Sequence, residues 1–199
     1  MKRMLVLMMV MTFASFAAAN LTINGDFDGN VTGWSFNANS SGYDGGNDVA
    51  YFGWSNGKSI YQNTGAVFLA DTVYTMTAVV SAATGNNTSQ YEGAQLTLIT
   101  IDGINPWTDV KTLDYMFPAE DRLTVTNNPG TFREVTMTLD TADYPSVVGT
   151  NIGVGVRSID TDAWGANGWM YVQSITLVPE PATMVMLGLG SLVALGRKK

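Results

Sequence analysis

The sequence contains no cysteine and no histidine. Without cysteine the chain forms no disulfide, so its folded state depends on packing. Without histidine it has neither a Ser-His-Asp nor a Cys-His catalytic centre, and no zinc site built on imidazole. These two absences exclude the hydrolytic mechanisms in which histidine activates a serine or a cysteine.

Basic residues are also scarce. The chain has 10 lysines and arginines against 17 acidic residues, which gives a formal net charge of −7. Five of the basic residues lie in the terminal segments, at Lys2, Arg3, Arg197, Lys198 and Lys199. The chain between them is therefore strongly acidic and repels nucleic acids and anionic lipid surfaces. We expect no nucleic-acid partner.

The N-terminal segment contains a short apolar run. A basic start is followed by apolar residues 4–16 and by small side chains at Ala17 and Ala19. This order is typical of a secretory signal peptide and predicts cleavage by signal peptidase before Asn20. The alternative is an N-terminal membrane anchor, but crossing a bilayer takes about 20 apolar residues. We interpret residues 1–19 as a signal peptide.

The C-terminal segment combines a short turn, an apolar run and a basic end. Its parts are Val178, Pro179, Glu180 and Pro181, then residues 182–196, then Arg197, Lys198 and Lys199. The two prolines are predicted to separate the folded domain from the apolar run, because proline disrupts strands and helices. The basic end is predicted to stay cytoplasmic. The alternative is an ordinary transmembrane anchor that is not removed.

This ordered C-terminal set resembles the PEP-CTERM sorting tail of Gram-negative bacteria that produce extracellular polysaccharide. In that family the membrane enzyme exosortase recognises the tail, cuts near it and passes the protein to the cell surface. The resemblance implies a sorting tail at residues 178–199 with a transmembrane segment at residues 182–196. It also implies a precursor inserted transiently in the inner membrane and a mature form at the cell surface or outside the cell.

The central part of the chain has the pattern of β-strands. Apolar and polar residues alternate in four segments: 74–80, 94–98, 134–139 and 152–157. Such alternation is the signature of half-buried strands, and in a last strand Tyr171, Ile175 and Leu177 are predicted to share one face. Turns rich in glycine, asparagine and aspartate separate the strands. We predict one all-β domain at residues 20–177, an antiparallel sandwich or barrel.

Several short segments also occur in a recognisable order. They are Asn24-Gly25-Asp26-Phe27-Asp28, Gly33-Trp34, Ser59-Ile60-Tyr61-Gln62-Asn63, Tyr74-Thr75-Met76-Thr77-Ala78 and Tyr171-Val172-Gln173-Ser174-Ile175-Thr176-Leu177. Together they resemble the secreted jelly-roll modules of the galactose-binding-like superfamily, which includes many carbohydrate-binding modules. The resemblance implies a single antiparallel jelly-roll β-sandwich that binds carbohydrate.

The same resemblance raises the question of a structural calcium ion. Many such modules hold calcium with two carboxylates, at positions that are occupied here by Asp28 and Gln173. A glutamine carbonyl can donate an oxygen but no charge, whereas calcium needs six to eight oxygen ligands. We therefore predict no cofactor and interpret Asp28 as a turn residue, with calcium binding at Asp28 as the alternative.

Sugar recognition combines an aromatic ring against the sugar face with polar side chains that reach its hydroxyls. The aromatic candidates in predicted loops are Tyr43, Trp54, Trp107 and Trp164, and the polar candidates near them in sequence are Asn56, Asp109, Asp162 and Asn167. The alternative is that the loop tryptophans are buried at an end of the sandwich. Trp34 and Trp169 lie in strand-like segments and are predicted to be in the core.

Three functions are compatible with these features. The primary hypothesis is a non-catalytic protein of the cell surface or extracellular matrix that binds extracellular polysaccharide. The alternative is a structural matrix or adhesion protein without a specific ligand. A third class, a glycan hydrolase, needs two positioned carboxylates. Acidic residues are plentiful, but no motif marks such a pair, so we expect no catalytic residues.

Overall fold

The computed structural model describes residues 19–53, 57–83, 93–101, 108–118, 129–159 and 168–180. These residues form ten strands: β1 (Ser35–Asn37), β2 (Ser40–Asp44), β3 (Val49–Gly53), β4 (Ser59–Val67), β5 (Val73–Ala83), β6 (Gly93–Ile101), β7 (Thr108–Met116), β8 (Arg133–Asp140), β9 (Asn151–Ile159) and β10 (Trp169–Pro179). A single 3₁₀ turn, Pro145–Val147, lies between β8 and β9. None of the helical structure in these ranges is long and apolar enough to cross a membrane.

The strands form two five-stranded antiparallel sheets. The first sheet has the order β1-β4-β9-β6-β7, and the second has the order β2-β3-β10-β5-β8. From β3 onward the chain crosses between the sheets so that two sets of four strands, β4-β9-β6-β7 and β3-β10-β5-β8, face each other. This is the arrangement of a jelly roll, to which β1 and β2 add one edge strand each. The predicted jelly-roll sandwich is confirmed.

The core lies between the two sheets and is formed by every second residue of each strand. The inward side chains of the four segments predicted by alternation are buried: Tyr74, Met76, Ala78 and Val80; Ala94, Leu96 and Leu98; Val135, Met137 and Leu139; Ile152, Val154 and Val156. These residues belong to one continuous apolar cluster. Burial of this cluster stabilises a fold that has no disulfide.

The last strand departs from simple alternation. The prediction that Tyr171 shares a face with Ile175 and Leu177 is wrong. The register of β10 against β5 shifts between Val172 and Ser174, and an extra residue in one strand reverses which side chains face inward. Ile175 and Leu177 therefore belong to the main core, whereas Tyr171 packs in a separate cluster on the outer face of the second sheet.

The two tryptophans predicted to be core residues have different positions. Trp34 is buried in the main core, its ring centroid lies 5.2 Å from that of Phe27, and its Nε1 donates to the carbonyl of Asn24 at 2.9 Å. Trp169 is only partly buried and belongs to the outer cluster with Tyr171. The prediction is confirmed for Trp34 and wrong for Trp169.

The N-terminal segment pairs with β10 beyond Val49, the residue at which β3 begins. The amide of Ile175 donates to the carbonyl of Gly25 at 2.7 Å, and the amide of Leu21 donates to the carbonyl of Leu177 at 2.7 Å. A side chain at Gly25 would overlap the carbonyl of Ile175, so glycine permits this close approach. Asn20, the predicted first residue after signal cleavage, accepts a hydrogen bond from the Leu177 amide through Oδ1 at 3.0 Å.

Gln62 joins the N-terminal segment to the first sheet. Its buried side chain donates from Nε2 to the carbonyls of Ile23 (2.8 Å) and Gly33 (3.2 Å), and its Oε1 accepts from the amide of Ile23 at 2.8 Å. Gln62→Met keeps the length of the side chain but leaves these backbone groups without their partner. We expect the free energy of unfolding to fall by about 2–3 kcal/mol, as measured by urea denaturation.

Gln95→Met provides the matched control for this prediction. Gln95 lies on the outer face of the same sheet, where its Nε2 donates to the Asp114 carboxylate at 2.8 Å in an exposed setting. Water can replace that partner, so the expected loss is about 0.5 kcal/mol or less. Equal losses for the two variants would show that Gln62 has no special role in holding the N-terminal segment.

The prediction that Pro179 separates the folded domain from the tail is wrong, because β10 runs through Pro179. The amide of Glu180 donates to the carbonyl of Val73 at 2.6 Å. In an antiparallel pair, successive residues direct their amides to alternate sides, so the nitrogen of Pro179 points away from β5. Proline is tolerated there because that position needs no donor to the ladder.

Candidate functional site

A cleft of about 380 Å³ lies on the second sheet, where β2, β3 and β10 are adjacent. Its lining residues are Tyr43, Asp44, Gly45, Tyr51, Trp169 and Tyr171. Four of the six are aromatic, so this part of the sheet face is richer in large aromatic side chains than an ordinary solvated face. We call this site the aromatic cleft.

The strand register brings three of the rings together. Tyr51 of β3 lies directly opposite Tyr171 of β10, and Trp169 lies two residues before Tyr171 on the same face. The Tyr51 and Trp169 centroids are 5.2 Å apart with their planes at 73°, and the Tyr51 and Tyr171 centroids are 6.4 Å apart at 46°. These separations are typical of favourable aromatic contacts, so the rings form one continuous surface.

Two of these rings lie across glycines of the neighbouring strands. Gly42 is the cross-strand partner of Tyr51, and a Cβ at Gly42 would lie 3.0 Å from the Tyr51 hydroxyl. Gly53 is the partner of Trp169, and a Cβ there would lie 3.0 Å from Cε3 of the indole. The glycines leave the space that the rings occupy, which fixes the shape of the aromatic cleft.

One acidic side chain, that of Asp44, lies among the described residues that line the β2 side of the cleft. Its carboxylate accepts from the amide of Gly46 at 2.9 Å and from Nδ2 of Asn47 at 2.7 Å. These local hydrogen bonds hold the Asp44 carboxylate in place and give this side of the cleft a fixed negative charge. Tyr43 also lines the cleft; its hydroxyl donates to Oδ1 of Asp48, and this hydrogen bond, followed by desolvation, raises the pKa of Tyr43.

Tyr171 forms the buried part of the cleft. Burial raises its pKa to about 12, with further contributions from the negative charge of Asp44 and from Tyr51. Like any tyrosine hydroxyl, that of Tyr171 is protonated at physiological pH and is a hydrogen-bond donor.

This raised pKa predicts a pH dependence of stability. Because the folded pKa lies above the unfolded value of about 10, the contribution of Tyr171 is complete below pH 10 and is lost as the pH rises through 12. Tyr171→Phe removes this proton linkage, so the variant should lose less stability between pH 10 and 12 than the wild type. Urea midpoints measured across that range test this, with Tyr61→Phe on the other sheet as the control. An unchanged alkaline slope in Tyr171→Phe would contradict it.

Of the residues predicted from the sequence to bind sugar, Tyr43 lies in the aromatic cleft. The candidates outside the described residues are Trp54, Asn56, Trp107, Asp162, Trp164 and Asn167.

Asp109 lies elsewhere, on β7 of the first sheet. Its carboxylate forms a bidentate ion pair with Arg157, in which Nη1 is 2.8 Å from Oδ2 and Nη2 is 2.9 Å from Oδ1. Arg157 also approaches the Gln95 amide oxygen at 3.4 Å. Asp109 and Tyr43 are therefore on different sheets and do not act in one site.

The possible calcium ligand Asp28 is exposed, and its backbone carbonyl accepts a hydrogen bond from Nδ2 of Asn30 at 3.1 Å. Gln173, at the position of the second family carboxylate, is exposed on β10. In the ranges that the structure describes, no three acidic side chains are grouped so that they could hold a metal ion. Calcium binding at Asp28 and the absence of a cofactor both stay predictions.

Sequence reasoning missed Tyr51, Trp169 and Tyr171 as site residues. A signal for them exists, because aromatic residues alternate with the core residues Met170 and Val172 in β10. A strand whose outward positions are also large and aromatic indicates a second apolar surface. The expectations that Trp169 is in the core and that Tyr171 shares a face with Ile175 and Leu177 concealed this pattern.

Comparison with known protein families identifies the C-terminal segment. Residues 177–199 match the family described as "PEP-CTERM protein-sorting motif". The chain carries a PEP-CTERM sorting motif. The motif implies an exported protein that is processed by exosortase and has a membrane-associated C-terminal tail. The apolar part of that tail, residues 182–196, and residues 1–18 of the predicted signal peptide lie outside the described residues.

Several solved structures are similar to this chain at low sequence identity. A cyclase from Fischerella sp. TAU in complex with 4-(1H-indol-3-yl)butan-2-one is 16% identical, with a TM-score of 0.55 over 82% of this chain and 98% of that one. An apo-form cyclase from Fischerella sp. is 15% identical, with a TM-score of 0.54 over 83% and 98% of the two chains. TmCBM61 in complex with β-1,4-galactotriose is 14% identical, with a TM-score of 0.48 over 82% and 100%.

Among curated proteins, none matches this sequence at a significant level. The likeness to the cyclases is a likeness of fold, and the function must be argued from the cleft itself.

Proposed function

We propose that this exported protein is a non-catalytic component of the cell surface or extracellular matrix and that it binds extracellular polysaccharide in the aromatic cleft. The observation that carries the proposal is the continuous surface of Tyr51, Trp169 and Tyr171. Aromatic faces suit the apolar faces of sugar rings, and tyrosine hydroxyls suit their hydroxyl groups.

The position of the cleft supports binding away from the membrane. Trp169 begins β10, and Pro179 ends it next to the sorting tail. At about 3.3 Å per residue these two residues are roughly 33 Å apart. A precursor held by its tail would therefore expose the aromatic cleft far from the anchored end of the strand.

The charge of the cleft favours neutral polysaccharide. Asp44 is the one charged residue among the described residues that line it, and its charge is negative. A uronate or sulfated glycan would place like charges together without a basic partner, which costs affinity. We expect such anionic glycans to bind at least about tenfold more weakly than neutral ones.

The same lining supports a non-catalytic role. Glycoside hydrolysis generally uses two carboxyl groups that flank the bond to be cut. Of the described residues in the lining, Asp44 alone has a carboxylate, and it is engaged with Gly46 and Asn47. We therefore propose that a bound glycan is held and released unchanged.

The test is a calorimetric titration of the purified domain with soluble neutral glycans, uronate-rich glycans and the host's own extracellular polysaccharide. Binding to a neutral glycan, with product analysis showing intact chains, supports the proposal. Release of shortened chains would support a hydrolase instead. Failure to bind any member of the panel, including the host polysaccharide, would favour the alternative of a structural matrix protein without a specific ligand.

A further inference from the structure

The first residues of the sorting motif are part of the folded domain. Val178 and Pro179 end β10, where they lie directly opposite Thr75 and Tyr74 of β5. The next residue, Glu180, is exposed at the end of the strand but is bound to β5 through both its backbone and its side chain. The first three residues of the segment that exosortase is implied to recognise, 178–180, therefore lie at a strand end that is bonded to β5.

Two hydrogen bonds fix Glu180. Its amide donates to the carbonyl of Val73 at 2.6 Å, and its Oε1 accepts from the hydroxyl of Thr75 at 2.7 Å. Thr75 is also the direct partner of Val178. Thr75 of β5 thus contacts Glu180, the acidic residue of the motif, and lies opposite Val178, the first residue of the motif.

Within the described residues, the opposite edge of β10 is occupied as far as Leu177. There the N-terminal segment pairs with it through the Leu21 amide and through Oδ1 of Asn20. Beyond Leu177, β5 supplies the strand contacts of residues 178–180 that the structure describes. Detachment of these three residues thus breaks contacts with β5 and leaves the N-terminal segment in place.

We propose that the folded domain restrains the sorting motif, so that exosortase engages the tail only after residues 178–180 have detached from β5. An enzyme that reads Pro-Glu-Pro needs access to the backbone and to the glutamate side chain, and both are bonded to β5 in the folded state. Strand ends open at much lower free-energy cost than the core, so detachment is feasible without unfolding the sandwich. Thr75 is then a positioning residue that sets how often the motif is accessible.

Thr75→Val in the full-length precursor tests this restraint. Valine keeps the shape and the strand preference of threonine but cannot donate to Glu180. In membranes that contain active exosortase, conversion of the precursor to the trimmed form should be about 3- to 5-fold faster than for the wild type, as measured by pulse-chase. The matched control is Thr77→Val on the same face of β5, where the hydroxyl contacts that of Thr136 at 3.1 Å.

The thermal midpoints of both variants show whether processing changes because the motif is released from β5 or because the whole domain is less stable. The proposal requires faster processing for Thr75→Val but not for Thr77→Val, with similar midpoints for the two proteins. Unchanged or slower processing of Thr75→Val would overturn it, since slower processing would mean that β5 presents the motif to the enzyme. Equal acceleration by both variants would overturn it as well.

A reversible disulfide between β5 and the motif provides a second test, in which the contact is strengthened rather than weakened. Thr75 and Val178 are direct partners, and cross-strand Cα separations of about 5.5 Å allow a disulfide. The chain has no cysteine of its own, so Thr75→Cys with Val178→Cys creates one unique bridge. Oxidised precursor should resist trimming and reductant should restore it, with single Val178→Cys as the control for the altered motif. The proposal would be overturned if the oxidised precursor were trimmed as fast as the reduced precursor.

Discussion

Replacing Trp169 with alanine should reduce the affinity for polysaccharide by about 30-fold, the largest functional effect expected of any single change in the described residues. The indole is partly exposed, contacts Tyr51 at a centroid distance of 5.2 Å and lines the cleft with Tyr171. A central tryptophan of this kind typically contributes 2 kcal/mol or more to binding. Calorimetric titration with the glycan that binds the wild type measures the effect.

Tyr61→Ala is the control for this variant. Tyr61 is also a partly buried aromatic residue, but it lies on β4 in the first sheet, opposite Gly155. Its replacement should change affinity less than about twofold, because it is not part of the aromatic cleft. Circular dichroism spectra and thermal midpoints show whether each variant is folded. A folded Trp169→Ala protein with wild-type affinity would exclude the cleft as the binding site.

Gly53→Ala should destabilise the protein by about 3 kcal/mol and also weaken glycan binding. A Cβ at Gly53 would lie 2.5 Å from the carbonyl oxygen of Gly168 and 3.0 Å from Cε3 of Trp169. The carbonyl belongs to backbone next to the paired start of β10, so it cannot rotate away as a side chain could. The strands β3 and β10 must separate locally, which displaces Trp169 from the cleft.

Gly45→Ala gives the matched comparison. Gly45 also lines the cleft, but a Cβ there would lie no closer than 3.4 Å to Tyr43, which is an ordinary contact. Its expected effect on the free energy of unfolding is within about 0.5 kcal/mol. Urea denaturation of both variants measures the difference. Equal stabilities would mean that β3 and β10 are not packed as closely as the register indicates.

The sequence was sufficient to predict the sandwich because its strands alternate regularly. In β5 and β8, inward apolar residues such as Met76 and Met137 alternate with outward threonines, and this period is a direct consequence of strand geometry. A bulge has no such local signal. The shift between Val172 and Ser174 in β10 depends on how that strand pairs with β5, so alternation alone placed Tyr171 on the wrong face.

The end of the domain could not be predicted for a related reason. Proline is unfavourable in a strand only where its missing amide is needed by a neighbour. At Pro179 that need depends on which residues of β10 direct their amides toward β5. The hydrogen bond from the Glu180 amide to the Val73 carbonyl determines this, because successive residues direct their amides to alternate sides. The sequence shows the two prolines but not the side of the strand that each one faces.

The sequence directed attention to aromatic residues but did not show where they meet. Of the aromatic candidates for sugar binding, Tyr43 lines the described cleft, and sugar binding by any of them stays a prediction. The sequence favoured loops, whereas the described cleft is formed mainly by cross-strand partners such as Tyr51 and Tyr171. Such partners are distant in the chain and meet only through the sheet register, as Asp109 and Arg157 do on the other sheet.

The most direct test of the account is NMR titration of the ¹⁵N-labelled domain with a glycan that binds it. The central claim predicts that the largest shift changes fall on the indole Nε1–H of Trp169 and on the amides of Tyr43, Tyr51 and Tyr171. These residues line one cleft on the second sheet. Shift changes centred instead on the first sheet, around Tyr61 and Arg157, would contradict the claim.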